Sequence, residues 1–476
     1  MIKIILVLAT VFNLYALESK DAIEIKSLKE DKLFQATRKD GLSIYEAIKR
    51  AVEISPRINA ASQVVIQDRE KLHEAEAGHL PVINFSGDTG YETRQLKDDA
   101  NNPSSTPVST EVSRYKKADL YLTITENLWS GGSIENAIDE KDASLKASLY
   151  DYRDKLENLV VDVANSYFEV VYGEITLKIA LKNMEHYEKI LNIVSIKEKN
   201  GAATKGDVNF ISANVDNAKT ELVQKQKALA DAISKYEYLL ETEEQAYFPY
   251  ETESILYGAD LNTSLANADE FNAKLLRQRS YIKATKFGFL ATKKNFHPTV
   301  DFVVNGENRN EFDIGFGQSQ KANALIMFSY NLYNGGRDEA TAIRLFAKMK
   351  EQKYFYDDIE RNLVFDVKVL NQSVSSLSQS LTLKESEVIA ARKVVASYWV
   401  AFQHGTQDLQ ALQLAQRNLN QAEQDYATYK KDLILNNYLL MKNTGVLLKF
   451  LELPYKKNAD EFQGDLNLFY QFSDLE

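Results

Sequence analysis

Trp129-Ser130-Gly131-Gly132 returns as Tyr333-Asn334-Gly335-Gly336, 204 residues later. Lys199-Asn200-Gly201 returns at the same offset as Gln403-His404-Gly405. Beyond that glycine, Val208, Val215, Leu222, Leu229 and Tyr236 keep a seven-residue period, and Leu412, Leu419, Tyr426, Leu433 and Leu440 repeat it, again displaced by 204. Two apolar ladders in step with two glycine landmarks mark a duplicated half, since solenoid repeats have periods of only roughly 20–50 residues.

Upstream of each Gly-Gly lies an alternating segment. Ala118, Leu120, Leu122, Ile124 and Leu128 are apolar, with Asp119, Tyr121, Thr123, Thr125 and Asn127 between them. Ala322, Ala324, Ile326, Phe328, Tyr330 and Leu332 likewise share one face. Their partners begin at prolines, Pro81-Val82-Ile83-Asn84-Phe85 and Pro298-Thr299-Val300-Asp301-Phe302. Period-two alternation bounded by turn formers predicts two strands per half, at about 81–91 and 117–129, then 298–305 and 321–333. Polar loops join them, roughly residues 92–114 and 305–320.

Downstream of each Gly-Gly the chain reads as helix of unusual length. Residues 133–200 contain no proline and one glycine, Gly173, while Leu149, Leu156, Val163, Val170, Leu177, Met184 and Leu191 recur every seven residues. Residues 337–404 contain neither, and Val367, Val374, Leu381, Val388 and Val395 repeat the pattern. Each would be roughly 100 Å long and needs a coiled-coil partner, supplied by the returning helices 206–241 and 407–452. A break at Gly173 is one way to shorten the first. Helices 43–78, interrupted at Ser55-Pro56, and about 267–297 open the two halves. The expected fold is mainly α with a small β part: a first repeat at 42–241 and a second at 265–452, with a linker at 242–264 and end segments at 17–41 and 453–476 forming a collar.

Met1-Ile2-Lys3, the apolar stretch 4–14 and Ala16 read as a signal peptide, 1–16, followed by a chain in an envelope compartment. No later run of 18 apolar residues appears, a test that barrel strands would not register. The chain has no cysteine, which removes disulfides, thiolate metal sites and cysteine nucleophiles. A net charge of −11 with scattered Lys and Arg argues against nucleic acid as a partner. His73, His79, His186, His297 and His404 form no pair at ligand spacing, so no metal or cofactor is expected. Gly131-Gly132 and Gly335-Gly336 lie in no phosphate-binding pattern and read as strand–helix junctions. Glu140, Asp142, Glu157, Glu385 and Glu387 lie on charge-rich helices and read as solvated faces rather than acid/base pairs.

If the strands sit in a bilayer with Leu120, Leu122, Ile124, Ile326 and Phe328 toward lipid, their edges must be paired there. Four strands fall short of the smallest barrels, about eight, so closure requires two, three or four chains. Tyr91, Tyr115, Trp129 and Tyr333 suit an interfacial aromatic belt.

The sequence resembles the TolC-type outer membrane efflux proteins. Carrying the resemblance are Leu42-Ser43-Ile44-Tyr45-Glu46-Ala47-Ile48 through Ser55-Pro56-Arg57-Ile58, and Ala75-Glu76-Ala77-Gly78-His79-Leu80-Pro81. The Gly-Gly junctions follow, then the tips Gly201-Ala202-Ala203-Thr204-Lys205-Gly206-Asp207-Val208 and Gly405-Thr406-Gln407-Asp408-Leu409. The resemblance implies a homotrimer with a shared twelve-stranded barrel in outer-membrane lipid and a helical tunnel in the periplasm. It also implies an adaptor docking on the tips (Gly201, Thr204, Asp207, Gly405, Gln407, Asp408) and a pump of the resistance-nodulation-division or ABC type in the inner membrane. Such a duct, also used in type I secretion, performs no chemistry. At positions where well-known members carry a gate Arg and two Asp, this chain has Gln407, Ala411 and Leu414, while Asp207 is kept. Asp408 offers charge nearby or an N-cap to the returning helix. Competing readings are a secreted coiled-coil scaffold or adhesin, in which the strands are soluble hairpins, and an envelope enzyme, for which no residue constellation is present.

Overall fold

The computed structural model describes residues 28, 31–34, 41–95, 112–241, 257–258, 260–294, 296–311 and 318–462. The expected signal peptide, most of segment 17–41, most of the linker 242–264, both hairpin loop tips and the end of segment 453–476 lie outside the described residues. In chain order the elements are α1 (Ile44–Ile54), α2 (Pro56–Glu76), β1 (Val82–Gln95), β2 (Val112–Trp129), α3 (Ser133–Lys199) and α4 (Lys205–Leu240). Then come α5 (Leu261–Phe271), α6 (Ala273–Lys294), β3 (Thr299–Glu311), β4 (Gln318–Ser329), α7 (Arg337–Gln403), α8 (Leu409–Asn443) and α9 (Leu447–Phe450). The chain divides into two compact units, residues 1–63, 150–276 and 358–457, and residues 64–149, 277–357 and 458–476.

Local chemistry sets the helix starts. Ser43 caps α1 in a reciprocal box: its hydroxyl accepts from Glu46 N at 3.2 Å, and Glu46 Oε2 accepts from Ser43 N at 2.8 Å. Pro56 opens α2, where its missing N–H costs nothing. At 67 residues each, α3 and α7 are roughly 100 Å long.

In the first unit the heptad positions supply the core. Leu156, Val163, Val170 and Leu177 of α3, Val215, Leu229 and Tyr236 of α4, and Leu412, Leu419, Tyr426, Leu433 and Leu440 of α8 are all buried. Each such side chain contributes about 1.5–3 kcal/mol on burial. In α7 only part of the ladder is covered: Val367, Val388 and Val395 are buried, Val374 and Leu381 half-buried. Gly173 does not break α3. A Cβ there would lie 3.1 Å from Leu229 Cδ1, so this glycine lets α4 pack close.

The second unit carries one antiparallel sheet in the order β1-β2-β3-β4. The two hairpins are built alike: Phe85 faces Leu122 in the first and Phe302 faces Ile326 in the second. A seam between β2 and β3 joins them, with a bulge between Asn127 and Trp129. β1 and β4 are the edges.

Several boundaries differ from the sequence expectation. The strands run further toward their loops, to Gln95, Val112, Glu311 and Gln318, because the hydrogen-bonded ladder continues where both faces turn polar. β4 stops at Ser329, so Tyr330 and Leu332 lie beyond it. The helix expected at 267–297 is two, α5 and α6, divided at Asn272. Its Oδ1 accepts from the N–H groups of Lys274 and Leu275 at 3.0 and 3.1 Å, and its Nδ2 donates to Asn443 O at 2.9 Å. The second returning helix ends at Asn443 rather than 452. Gly445 at φ +70 closes it, and its N–H donates to Lys442 O at 2.9 Å. Among the described residues no helix is long and apolar enough to cross a membrane.

Candidate functional site

Register assigns every sheet side chain to a face. Ile83 and Phe85 of β1, Leu120, Leu122 and Ile124 of β2, Phe302 and Val304 of β3, and Ala322, Ala324, Ile326 and Phe328 of β4 lie on one face. That face is open: Phe85 is 73% exposed, Ile326 72%, Phe328 69%, and even central Leu122 42%. An exposed apolar band across four strands is what a lipid-facing wall requires and what a water-facing hairpin avoids. Tyr91, Trp129 and Tyr333 are also exposed, while the Tyr115 side chain lies outside what is described.

The opposite face is polar and bonded across strands. Thr123 Oγ1 donates to Asn305 Oδ1 at 3.1 Å, and Asn305 Nδ2 to Asn323 Oδ1 at 3.1 Å. Asn127 Nδ2 donates to Asp301 Oδ1 at 2.7 Å. Toward the loops charge gathers around buried Asp119: Lys117 Nζ is 3.7 Å and Arg309 Nε 3.5 Å from its Oδ2, and Tyr121 donates to the same oxygen at 3.2 Å. Lys117 also pairs with Asp88 at 2.9 Å. A ladder of Thr, Asn and Asp side chains below a charged cluster makes this face compatible with water. Leu325 and Met327 interrupt it near the helical end.

The junction glycines all take positive φ, from +62 to +87. Gly131 is buried, and a Cβ on it would lie 2.6 Å from His297 Cβ. Its counterpart Gly335 is exposed with no atom within 4 Å, and Gly132 and Gly336 differ in the same way. The two halves therefore make equivalent junctions of which only the first is covered by its own chain.

At the turns of the first unit, Gly201 (φ +76) and Gly405 (φ +75) end α3 and α7. Ala202 N donates to Lys197 O at 2.8 Å and Thr406 N to Ala401 O at 2.9 Å. The glycine N–H groups reach Glu198 O at 2.9 Å and Phe402 O at 3.2 Å. These paired bonds close helix ends that only a left-handed residue can turn.

The acidic tip residues are caps. Asp207 accepts from Thr204 N and from its hydroxyl, both at 2.8 Å, while Thr204 Oγ1 accepts from Asp207 N at 3.1 Å. These bonds, the backbone one foremost, hold the Asp207 carboxyl below its ordinary range. Asp408 caps α8 by accepting from Ala411 N at 2.6 Å, and Gln407 N donates to Ala401 O at 3.3 Å. Thr204→Ala is expected to cost about 1 kcal/mol. Because the folded Asp207 value is lowered, its contribution is present above the ordinary carboxylate pKa and fades as acidification passes through the folded one. Urea midpoints of the wild type and Thr204→Ala, compared at neutral and acidic pH, check both statements.

One contact between the tips has no sequence signal. Lys197 Nζ donates to Phe402 O at 2.7 Å and lies 4.0 Å from the Phe402 ring centroid. It joins residues that the 204-residue offset does not relate, so the repeat cannot announce it. Beneath it Tyr187, Ile190, Val194, Ile211, Val215, Phe402 and Leu412 form one apolar cluster. Leu414 is exposed. Nearby His186, edge-on to Trp399 at 6.5 Å, is pushed down to about 4 by burial and stays neutral near neutrality. Among the described residues no His, Cys, Asp and Glu group is placed to hold a metal.

Solved outer-membrane channels share this architecture. The channel OprN aligns with a TM-score of 0.73 at 14% identity over 84% of this chain and 89% of its own. A Pseudomonas aeruginosa membrane protein gives 0.75 at 14%, over 90% and 95%. The Campylobacter jejuni CmeC outer membrane channel gives 0.72 at 13%, over 88% of each. No curated protein matches the chain in sequence. The family model for outer membrane efflux protein matches twice, over residues 47–235 and 250–446, one match per repeat. The chain belongs to the outer membrane efflux protein family, and its fold is that of solved outer-membrane channels.

Proposed function

We propose that the chain is one protomer of a homotrimeric export duct, in which three four-stranded sheets close a twelve-stranded barrel and a periplasmic adaptor joins the helix tips to an inner-membrane pump. The observation that carries this reading is the sheet: an exposed apolar face, a hydrogen-bonded polar face and two free edges. In hydrocarbon each unpaired backbone group costs several kcal/mol, so β1 and β4 need partners.

The duplication says which. Within the chain the second strand of one hairpin pairs with the first strand of the next, Leu122 with Gly306. A Cβ on Gly288 of α6 would lie 2.9 Å from Glu140 of α3, so those helices also touch. Repeating that relation carries β4 onto β1 of a second copy and gives exposed Gly335, Ile343 and Phe346 a neighbour. Head-to-tail contacts of this kind close into rings. The matched pairs Phe85–Leu122 and Phe302–Ile326 offset β4 from β2 by 204 residues and β3 from β1 by 217, so carrying the Leu122–Gly306 pairing over sets Ile326 opposite Thr89 of the next copy.

A Thr89→Cys, Ile326→Cys variant is therefore expected to cross-link copies on oxidation in membranes, into species no larger than a trimer. The chain has no other cysteine. Absence of cross-linking in intact oligomer would refute the seam, and a ladder ending at four would refute the trimer. Cargo follows the pump and is small molecules or polypeptides.

A further inference from the structure

Arg392 of α7 stands where three helices and a piece of the amino-terminal segment meet. Its Nε donates to Glu423 Oε1 of α8 at 2.8 Å, and Lys182 of α3 lies 3.7 Å from the same oxygen. Its Nη1 donates to Asp31. Around that pair the amino-terminal residues are anchored three further times. Leu28 N donates to Glu385 Oε1 at 2.8 Å, and the Leu28 side chain is fully buried. Phe34 is buried edge-on to Tyr426 with centroids 4.8 Å apart, and Arg392 lies over its ring at 5.7 Å. Asp31 Oδ1 accepts from Leu33 N at 2.9 Å, which fixes the local turn.

We infer that Leu28 and Asp31–Phe34 form a strap that fastens α7 to α8 and restrains the helix pair bearing the second tip. The physics favours a restraint over incidental packing. Arg392, Asp31 and Glu423 keep only 18%, 13% and 4% of their side-chain surface exposed, so their attraction is weakly screened. Glu385 and Arg392 belong to one member of an antiparallel pair and Tyr426 to the other, so a strap that binds all three opposes their sliding past each other. Toward the tip from Arg392, α7 and α8 are fastened by the small cluster Val395, Ala415 and Leu419 and by Phe402 and Leu412. A restraint at Arg392 therefore limits how far the pair below it can separate. The link from this restraint to channel opening rests on the proposed gating role of the tips.

Hydrogen exchange separates the two ideas. Asp31→Asn leaves Arg392 paired with Glu423, so the helices are expected to stay folded and the oligomer intact. Backbone amides at 393–424 are expected to exchange about tenfold faster, since a charge-assisted bond is lost. Amides at 261–271 of α5, which among the described residues share no contact with the strap or with either tip, serve as the control, and bilayer conductance is expected to rise. In a Phe34→Cys, Tyr426→Cys variant, joining the two thiols with a short bismaleimide is expected to slow that exchange and lower conductance. Unchanged exchange at 393–424 in both variants overturns the strap. Altered exchange with unchanged conductance upholds the strap and removes the second tip as the gate.

Discussion

Leu122→Arg is expected to cost about 2–4 kcal/mol in the assembled state and to deplete the denaturant-resistant oligomer in outer-membrane fractions. Leu122 is central to the apolar face, paired with Phe85 on one side and Gly306 on the other. If that face meets lipid as proposed, a guanidinium there would face hydrocarbon, with its stem flanked by Leu120 and Ile124. Under the proposed closure the change recurs in every copy around the ring, so the loss would multiply with assembly. Ser86→Arg on the polar face, near the same depth, is the control and should assemble. The comparison is made by semi-native electrophoresis of membranes. If Leu122→Arg assembles and Ser86→Arg does not, the two faces have been assigned the wrong way round.

The alternation at Ala118–Ile124 and 322–328 made this wall legible, because a half-buried strand writes its two environments into successive residues. The coiled coils were legible for the same reason, at period seven. Legibility ended where environment stopped varying with position. Past Asp88 and Lys117 both faces are polar, so nothing in the residues marked the ladder running on to Gln95 and Val112. Asn272 divides α5 from α6 through a bond to Asn443, 171 residues away, which no local pattern carries. The end of α8 was different: Gly445 is a plain helix stop, and the apolar run Val446-Leu447-Leu448 masked it. At the tips, the glycines and the cap Asp408 could be read locally, whereas Thr204 and Asp207, expected as docking residues, form a capping box that was not expected from the sequence. Lys197 on Phe402, and the strap on Arg392, could not be read locally, since each depends on elements brought together only by the fold.

Export is expected to fall sharply in a Gly201→Leu, Gly405→Leu double variant whose oligomer level matches the wild type. Both glycines hold φ near +75, where a bulky residue costs roughly 1 kcal/mol or more. That is small beside helices of 67 residues, and a Cβ at either site meets nothing within 4 Å. The contrast with Gly131, where His297 blocks any side chain, shows why the tips suit the test and the junction does not. A leucine at a crowded glycine reports on folding, whereas one at an open turn reports on whatever docks there. Under the proposed reading that is the adaptor, which would meet two new side chains at the point of closest approach. Export is measured together with site-directed cross-linking of the tips to the adaptor, and both should drop while the Thr89–Ile326 seam still cross-links. Undiminished export with normal adaptor cross-linking would reduce the turns to connectors and move docking to the helix flanks, where exposed Ile196, Phe210 and Val400 lie.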